Sequence, residues 1–210
     1  MVLFLLDLSA AFDTIDHSIM IQRLENRIGI KATALDWFTS YLEGRSQAVY
    51  IEGHTSESIS LLFGVPQGSI LGPIEYSIYT FPVGDIIRKH NLQYHIYADD
   101  TQLYVAFDLH SENSLFHAIE KLKCCIGEIS QWMSNNRLKL NEDKTEVIIF
   151  KTPRYRQDIC VDEISLSESP IEVSQSVRNI GAIFDETLSM SDHISSICKS
   201  AYFHLSTLAE

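Results

Sequence analysis

The 210-residue chain predicts an α+β fold, in which apolar strands alternate with helices. Residues 2–7 form an apolar run of strand length that ends in an aspartate, which is typical of a central strand buried on both faces. Residues 94–106 carry β-branched and aromatic side chains on both sides of an Asp-Asp pair, which predicts a hairpin. From about Ser111 to Met133, apolar residues recur at the spacing of an amphipathic helix.

The remaining elements are predicted in chain order between and after these stretches. They are a helical stretch to about Tyr41 with a break near Gly29, a hairpin over residues 46–63 that turns at Glu52–Gly53, a helix to about Thr80, strands at 146–150, 159–164 and 180–184, and a last helix from about Ser191 to the end. The third helix is predicted to stop near Thr80 because Pro82 lacks a backbone N–H and clashes with the preceding turn.

Composition places the chain among globular proteins, since 45% of its residues are hydrophobic and 21% are charged. No apolar run approaches the length of a bilayer-spanning helix, so no membrane partner is expected. The apolar start runs into Asp7 without a basic region, which argues against a secretory signal. The spacing of the cysteines fits no zinc site, and we interpret them as reduced thiols of an intracellular protein: Cys124, Cys125, Cys160 and Cys198.

Acidic side chains stand at the ends of two predicted strands. Asp99 and Asp100 lie side by side at the tip of the hairpin, and a fold tolerates two such like charges best where a cation sits between them. Asp7 ends the first strand, at an edge where open sheets place ligands. The alternatives are a solvated turn for the Asp-Asp pair and a helix or loop cap for Asp7.

A glycine-rich segment, Gly64-Val65-Pro66-Gln67-Gly68-Ser69, lies between these two acidic elements. Its glycines permit unusual backbone angles and close approach to a ligand, and Ser69 is placed to cap a following helix. A purely structural turn would explain the glycines, but not the glutamine between proline and glycine.

Five blocks in this order resemble the palm of a reverse transcriptase of non-LTR (LINE-type) retrotransposons. The blocks are residues 6–13 for polymerase motif A, 64–69 for motif B, 97–100 for motif C, 138–146 for motif D and 179–185 for motif E. The resemblance covers the chain to about residue 205. It implies a palm-type antiparallel sheet that bears the aspartates, with helices on its other face. Residues 1–190 would form this palm, and residues 191–210 would begin a thumb or connection helix.

The activity implied by the resemblance is RNA-directed DNA polymerisation, with an RNA template, a DNA primer and dNTPs. Such phosphoryl transfer uses two Mg²⁺ ions, for which Mn²⁺ would substitute. Asp7 and Asp99 are the first-choice ligands, Asp100 is a supporting one, and the backbone carbonyl of Leu8 would complete one shell. Family members act inside the cell, in the nucleus and cytoplasm.

Further site residues are carried over from the same motifs. Phe12 matches the bulky residue under the sugar of the incoming nucleotide, where a large ring would exclude a 2′-hydroxyl. Pro66, Gln67 and Gly68 match the turn that contacts nucleotide and template. Lys144 resembles the lysine proposed to protonate the leaving pyrophosphate, a role that contributes about 10² to 10⁴-fold in rate. The alternatives are a core phenylalanine and an exposed lysine.

The charge balance and two departures from the family pattern lead to rival hypotheses; the departures are Glu75 and a tail, residues 204–210, that lacks the basic residues expected at the start of a thumb. The net charge is −12, with 16 Lys and Arg against 28 Asp and Glu, whereas nucleic-acid binders usually carry a basic patch. We expect an acidic charge balance because the chain starts at motif A and ends after motif E, without the basic fingers and thumb. Glu75 stands where the family has an apolar residue, so it either turns to solvent or marks a lesion. A non-catalytic remnant and a domesticated interaction module are the rivals to the enzyme.

Overall fold

A computed structural model describes residues 1–9, 12–66, 68–108, 111, 113–152, 161, 163–165 and 170–208. The helices are α1 (His17–Arg23), a π-helical turn (Leu24–Ile28), α2 (Thr33–Leu42), α3 (Gly72–Lys89), α4 (Ser114–Asn135) and α5 (Ser191–Leu208). The strands are β1 (Val2–Ser9), β2 (Ser46–Gln47), β3 (Tyr50–Ile51), β4 (His54–Thr55), β5 (Ile59–Ser60), β6 (Gln93–Tyr97), β7 (Asp100–Val105), β8 (Lys139–Ile149), β9 (Glu163–Ser165), β10 (Pro170–Ser174), β11 (Ser176–Asn179) and β12 (Ala182–Asp185).

A six-stranded sheet in the order β6–β7–β1–β8–β10–β9 forms the centre of the fold. Its first four strands are antiparallel, as predicted, while β10 adds to β8 in parallel. Only the end of the strand predicted at 159–164 is described, as β9, and the predictions for Gln67 and Cys160 lie outside the described residues. No helix in the described part of the chain has the length and apolar character that a membrane crossing needs.

The first strand is buried on both faces because its neighbours β7 and β8 flank it and its side chains alternate between two apolar clusters. The even-numbered residues of β1 join the main core, in which they pack with α1, α3 and α4: Val2, Phe4, Leu6 and Leu8. The odd-numbered Leu3 and Leu5 pack instead in a smaller cluster with Val177 and Phe184 of the β11–β12 hairpin. Asp7 continues this odd-numbered face, opposite the helices.

The predicted end of the third helix near Thr80 is wrong, since α3 continues through Pro82 to Lys89. An interior proline costs a helix about 3 kcal/mol. Beyond it, Val83 and Ile87 are buried in the core, and each such side chain contributes about 1.5–3 kcal/mol. The helix therefore continues because its last turns bury enough apolar surface to offset the proline.

The loop before α3 is held against the segment after β1 by backbone hydrogen bonds. The Gly64 amide donates to the Ile15 carbonyl at 2.8 Å, and the Val65 amide donates to the Phe12 carbonyl at 3.0 Å. Gly64 has φ +87°, and a Cβ built there would lie 3.1 Å from the Asp13 carbonyl oxygen. The glycine is therefore required by both its backbone angle and this close approach.

Glu75 does not turn to solvent; it is fully buried on α3. Helical spacing places it on the face that also buries Gly72 and Tyr79, so exposure would require a different helix rotation. Neither carboxylate oxygen has a hydrogen-bond partner among the residues that the structure describes. Burial raises the pKa of the Glu75 carboxyl, against a smaller opposing effect of Arg45.

Replacing Glu75 by leucine is expected to stabilise the protein, because a buried unpaired polar group costs about 1–3 kcal/mol. The raised pKa makes this effect pH-dependent. The protonated carboxyl supports folding below the pKa of the unfolded chain, about 4.3, and this support is lost as pH rises through the folded-state pKa. Urea unfolding at pH 5 and pH 8 should therefore show a larger gain for Glu75→Leu at pH 8.

Glu75→Gln serves as the control, since it keeps the polar shape and removes the charge. Glu75→Gln should remove the part of the pH dependence of the unfolding free energy that comes from Glu75. It should recover only part of the stability that Glu75→Leu gains. An equal gain for Glu75→Leu at both pH values would mean that the carboxyl does not titrate in this interval.

Gly64→Ala is expected to destabilise the protein more than Gly53→Ala. Gly53 has nearly the same φ, +86°, but nothing lies within 4 Å of its added Cβ. Both substitutions carry the left-handed backbone penalty of about 1–2 kcal/mol, and only Gly64→Ala adds the clash with Asp13. Thermal melts of the two variants measure the difference, and equal shifts would show that the loop yields without cost.

Candidate active site at the tip of the central strands

The sheet register brings Asp7 and Asp100 side by side. Leu6 pairs with Thr101, so the next step along the two strands sets Asp7 opposite Asp100. The β6–β7 hairpin closes at the pair Tyr97 and Asp100, which leaves a turn of two residues that includes Asp99. Ala98 in this turn has φ +52°, the left-handed conformation that such short hairpin turns require.

Both aspartates line a cleft of about 420 Å³ on the sheet face opposite the helices. Lys144 and Glu146 of β8 form one wall, and Arg178 of the β11–β12 hairpin forms another. Asp99 is not among the lining residues, although it neighbours Asp100 in the chain. The cleft thus combines several carboxylates with two basic side chains.

The three predicted aspartates share one electrostatic field. Burial raises the pKa of Asp100, and the charges of Asp99 and Asp7 raise it further. Burial also raises the pKa of Tyr76 on α3, and the same three carboxylates add to this rise, Asp99 most strongly. Since Tyr76 lies on the helix side of the sheet, the charges of the three carboxylates also act on that side.

One carboxylate oxygen of Asp7 faces two donors from β8. Asn141 donates from Nδ2 to Asp7 Oδ2 at 3.2 Å. The ammonium nitrogen of Lys144 lies 3.7 Å from the same oxygen, and the Lys144 side chain is 71% exposed. Lys144 therefore stands beside an acidic ligand candidate, at the solvent side of the cleft.

A bulge in β8 creates this arrangement. Leu5 pairs with Glu146 and Asp7 pairs with Asn141, so four residues of β8 stand opposite Leu6 alone. Thr145 is buried within the bulge, and its hydroxyl donates to the Asn141 carbonyl at 2.9 Å. These extra residues bring the Lys144 ammonium next to the Asp7 carboxylate.

A second cavity, of about 270 Å³, collects the motif A and motif B candidates. Its lining includes Phe12, Pro66 and Gly68. Phe12 is half-buried, and its ring centroid lies 4.9 Å from that of Tyr76. Ser69 also lines the cavity, and its hydroxyl accepts from the Gly72 amide at 2.9 Å, which satisfies a free N–H at the start of α3 as predicted.

The β11–β12 hairpin is attached to the strand that carries Asp100. The Gln102 amide donates to Asn179 Oδ1 at 2.8 Å across the cleft. At the other end of the hairpin, the Lys151 amide donates to the Glu186 carbonyl at 2.8 Å. These contacts, with the apolar cluster below, fix the hairpin over the cleft.

The predicted residues are therefore only partly brought together. Asp7, Asp100 and Lys144 share the cleft, Asp99 influences them from the turn, and Phe12 lines the second cavity. Leu8 is buried in the core, so only its backbone remains available for a ligand. Pro66 and Gly68 lie with Phe12, whereas Gln67 is outside the described residues.

The donor set fits a hard divalent cation that is also held by substrate. In the described ranges, no three His, Cys, Asp or Glu side chains are close enough to hold a metal by themselves. Mg²⁺ typically takes one or two protein carboxylates together with waters and substrate phosphates. The adjacent Asp7 and Asp100 meet that requirement.

Sequence analysis missed Asn141, Tyr76 and the Gln102–Asn179 contact. Strand alternation alone would place Asn141 beside Asp7 only if the bulge in β8 were known. Tyr76 belongs to the apolar spacing of α3 and gave no separate signal. A pairing of two amides 77 positions apart leaves no local pattern in the sequence.

Comparison with known proteins agrees with the motifs. Residues 1–184 match the reverse transcriptase (RNA-dependent DNA polymerase) family. The RNA-directed DNA polymerase from mobile element jockey of Drosophila melanogaster is 27% identical over 91% of this chain and 20% of its own length. The probable RNA-directed DNA polymerase from transposon X-element of the same organism is also 27% identical over 91% of this chain, and likewise over 20% of its own length. The chain therefore spans about a fifth of these relatives.

Solved structures agree on the fold. A telomerase from Candida albicans in complex with a TWJ fragment of telomeric RNA superposes with a TM-score of 0.52 at 12% identity, covering 90% of this chain and 32% of that one. An apo telomerase from Candida tropicalis truncated from its C-terminal domain gives 0.55 at 14% identity, covering 90% and 35%. The α+β, palm-type prediction and the resemblance to LINE-type reverse transcriptases are confirmed. This chain belongs to the reverse transcriptase (RNA-dependent DNA polymerase) family.

Proposed function

We propose that this chain is the palm of an RNA-directed DNA polymerase that transfers a nucleotide from a dNTP to a primer 3′-hydroxyl, copying an RNA template. The observation that carries the proposal is that Asp7 and Asp100 line one cleft, with the Lys144 ammonium 3.7 Å from Asp7 Oδ2. Family membership supports the same reaction.

The proposed ligands for two Mg²⁺ ions, or Mn²⁺ in their place, are Asp7, Asp99, Asp100 and the Leu8 carbonyl. Bound there, the ions supply activation of the 3′-hydroxyl and neutralisation of phosphate charge. Burial raises the pKa of Asp100 and the charges of Asp99 and Asp7 raise it further, and a divalent cation bound there would offset the repulsion among these charges.

The other proposed site residues would bind the nucleotide and template or supply a proton to the leaving group. Phe12 lies at a cavity mouth with Pro66 and Gly68, where it would pack against the sugar of the nucleotide. Gln67, in the same motif, would contact nucleotide or template. Lys144 would donate a proton to the departing pyrophosphate, and its exposed ammonium 3.7 Å from Asp7 supports that role.

The wider setting is also part of this proposal. Residues 1–190 would form the palm, and residues 191–210 would begin a thumb or connection helix. RNA template, DNA primer and dNTPs would be its partners, together with fingers and thumb segments of a longer protein, since the chain spans about a fifth of its relatives. The protein would work inside the cell, in the nucleus and cytoplasm.

Asp99→Asn is expected to abolish primer extension, because the substitution removes a charge that anchors a cation without changing side-chain shape. The measurement is Mg²⁺-dependent extension of a DNA primer on an RNA template, with the wild type and Asp36→Asn as controls. Asp36 lies on α2, outside both cavities, so its variant should extend normally.

Extension by the Asp99→Asn protein at the wild-type rate would refute the site assignment. If the wild type, tested with segments of its longer parent protein, did not extend, the non-catalytic remnant would replace the enzyme.

Phe12→Val is expected to weaken the preference for dNTPs over rNTPs by about 10-fold or more, since one smaller side chain in a pocket is worth about 1–3 kcal/mol. The ratio of kcat/KM for dTTP and UTP measures this preference. Phe116→Val, on an exposed position of α4, is the matched control and should leave the ratio unchanged. An unchanged ratio for Phe12→Val would assign Phe12 to the core alone.

A further inference from the structure

The carboxylate of Asp7 is held on one side by the side chain of Asn141. We propose that Asn141 is a positioning residue, which fixes Asp7 so that its free oxygen is presented to a divalent cation. The proposal rests on the proposed function and adds a residue to it. Its geometric basis is the hydrogen bond of 3.2 Å from Asn141 Nδ2 to Asp7 Oδ2.

The pairing of β1 with β8 explains why Asn141 contacts Asp7. Asp7 and Asn141 are direct partners in the β1–β8 ladder, so their side chains stand next to each other on the same face of the sheet. Oδ2 accepts the hydrogen bond from the Asn141 amide, and within the described residues Oδ1 receives no hydrogen bond. Asp100 lines the same cleft as Asp7. The free oxygen and the second carboxylate are thus available to one cation.

The bulge in β8 holds Asn141 in place. Thr145 is 5% exposed and donates its hydroxyl to the Asn141 carbonyl at 2.9 Å. This bond joins Asn141 to the last of the four residues that β8 inserts opposite Leu6. A partly buried side-chain hydrogen bond across the bulge restrains the backbone from which Asn141 projects.

Asn141 and Lys144 contact the same oxygen but do different things. Lys144 is 71% exposed at 3.7 Å, so solvent screens its attraction and its ammonium would be repelled by an arriving cation. The amide of Asn141 is neutral, so it orients the carboxylate without cancelling the charge that the cation needs. Partners that orient a metal ligand typically change metal affinity by about 10–100-fold when removed.

The test measures Mn²⁺ binding by electron paramagnetic resonance on the purified chain, without template or nucleotide. The acidic surface also attracts Mn²⁺ loosely. The quantity compared between variants is therefore the Mn²⁺ binding that is lost when Asp7 is replaced by asparagine. Asn141→Leu should weaken this part by about 10-fold. Gln131→Leu, which removes an amide from an exposed position of α4 on the other side of the sheet, should leave it unchanged.

A second pair of variants tests the bulge. Thr145→Val removes the hydroxyl and should weaken Mn²⁺ binding in the same direction, whereas Thr145→Ser keeps the donor and should restore it. In primer extension, Asn141→Leu should raise the half-saturating Mg²⁺ concentration while leaving kcat at saturating Mg²⁺ nearly unchanged. A residue that serves folding alone would lower the melting temperature and leave the Mg²⁺ requirement unaltered.

Each outcome decides a separate point. If Asp7→Asn loses Mn²⁺ and Asn141→Leu does not, the positioning role is wrong and the proposed function stands. If Asp7→Asn binds Mn²⁺ as the wild type does, the metal site is misplaced, and both proposals fall. Parallel loss in Asn141→Leu and Gln131→Leu would show a general effect of replacing an amide by leucine, and would also overturn the role of Asn141.

Discussion

The candidate site depends on the pairing of β1 with β7 on one side and β8 on the other. Because side chains alternate along a strand, this double pairing buries one face of β1 under the helices and turns Asp7 to the opposite face. The same register sets Asp100 beside it and Asn141 across from it. A slip of one residue would exchange the faces and direct Asp7 into the apolar core, where an unpaired carboxylate is strongly disfavoured. The apolar pattern of β1 therefore determines both the register of the strand and the position of the carboxylates.

The surrounding elements stabilise that register from both sides. Helix α3 crosses one face and holds Tyr76, which stands behind Phe12 and within the field of the three aspartates. The β11–β12 hairpin covers the other face through apolar contacts and the Gln102 bond. The cleft that holds Asp7 and Asp100 and the cavity that holds Phe12 share no lining residue.

Local patterns predicted most of the elements, because alternation, helical spacing and the hairpin turn are each visible within a few residues. They predicted the aspartates at strand ends and the capping role of Ser69. Local patterns failed where contacts between distant parts of the chain determine the structure. Pro82 lies inside α3 because the later turns of this helix are buried, and Glu75 is buried because it lies on the buried face of the same helix. The bulge in β8 has no signature at all in the sequence, so the placement of Asn141 and Lys144 over Asp7 follows only from the paired strands. The family motifs supplied roles that neither pattern nor geometry supplies alone.

The central position of β1 also determines when the site can come into being. Its partners lie far along the chain, in β7 and β8, so the strand must close two long loops before it is paired on either edge. Until then its apolar run is an open strand edge of the kind that joins other chains. The three aspartates converge only once β1 has paired with β7, and Asn141 reaches Asp7 only once β1 has also paired with β8. During synthesis the proposed cation site would therefore stay unformed until β7 has left the ribosome, and Asn141 would join it only after β8.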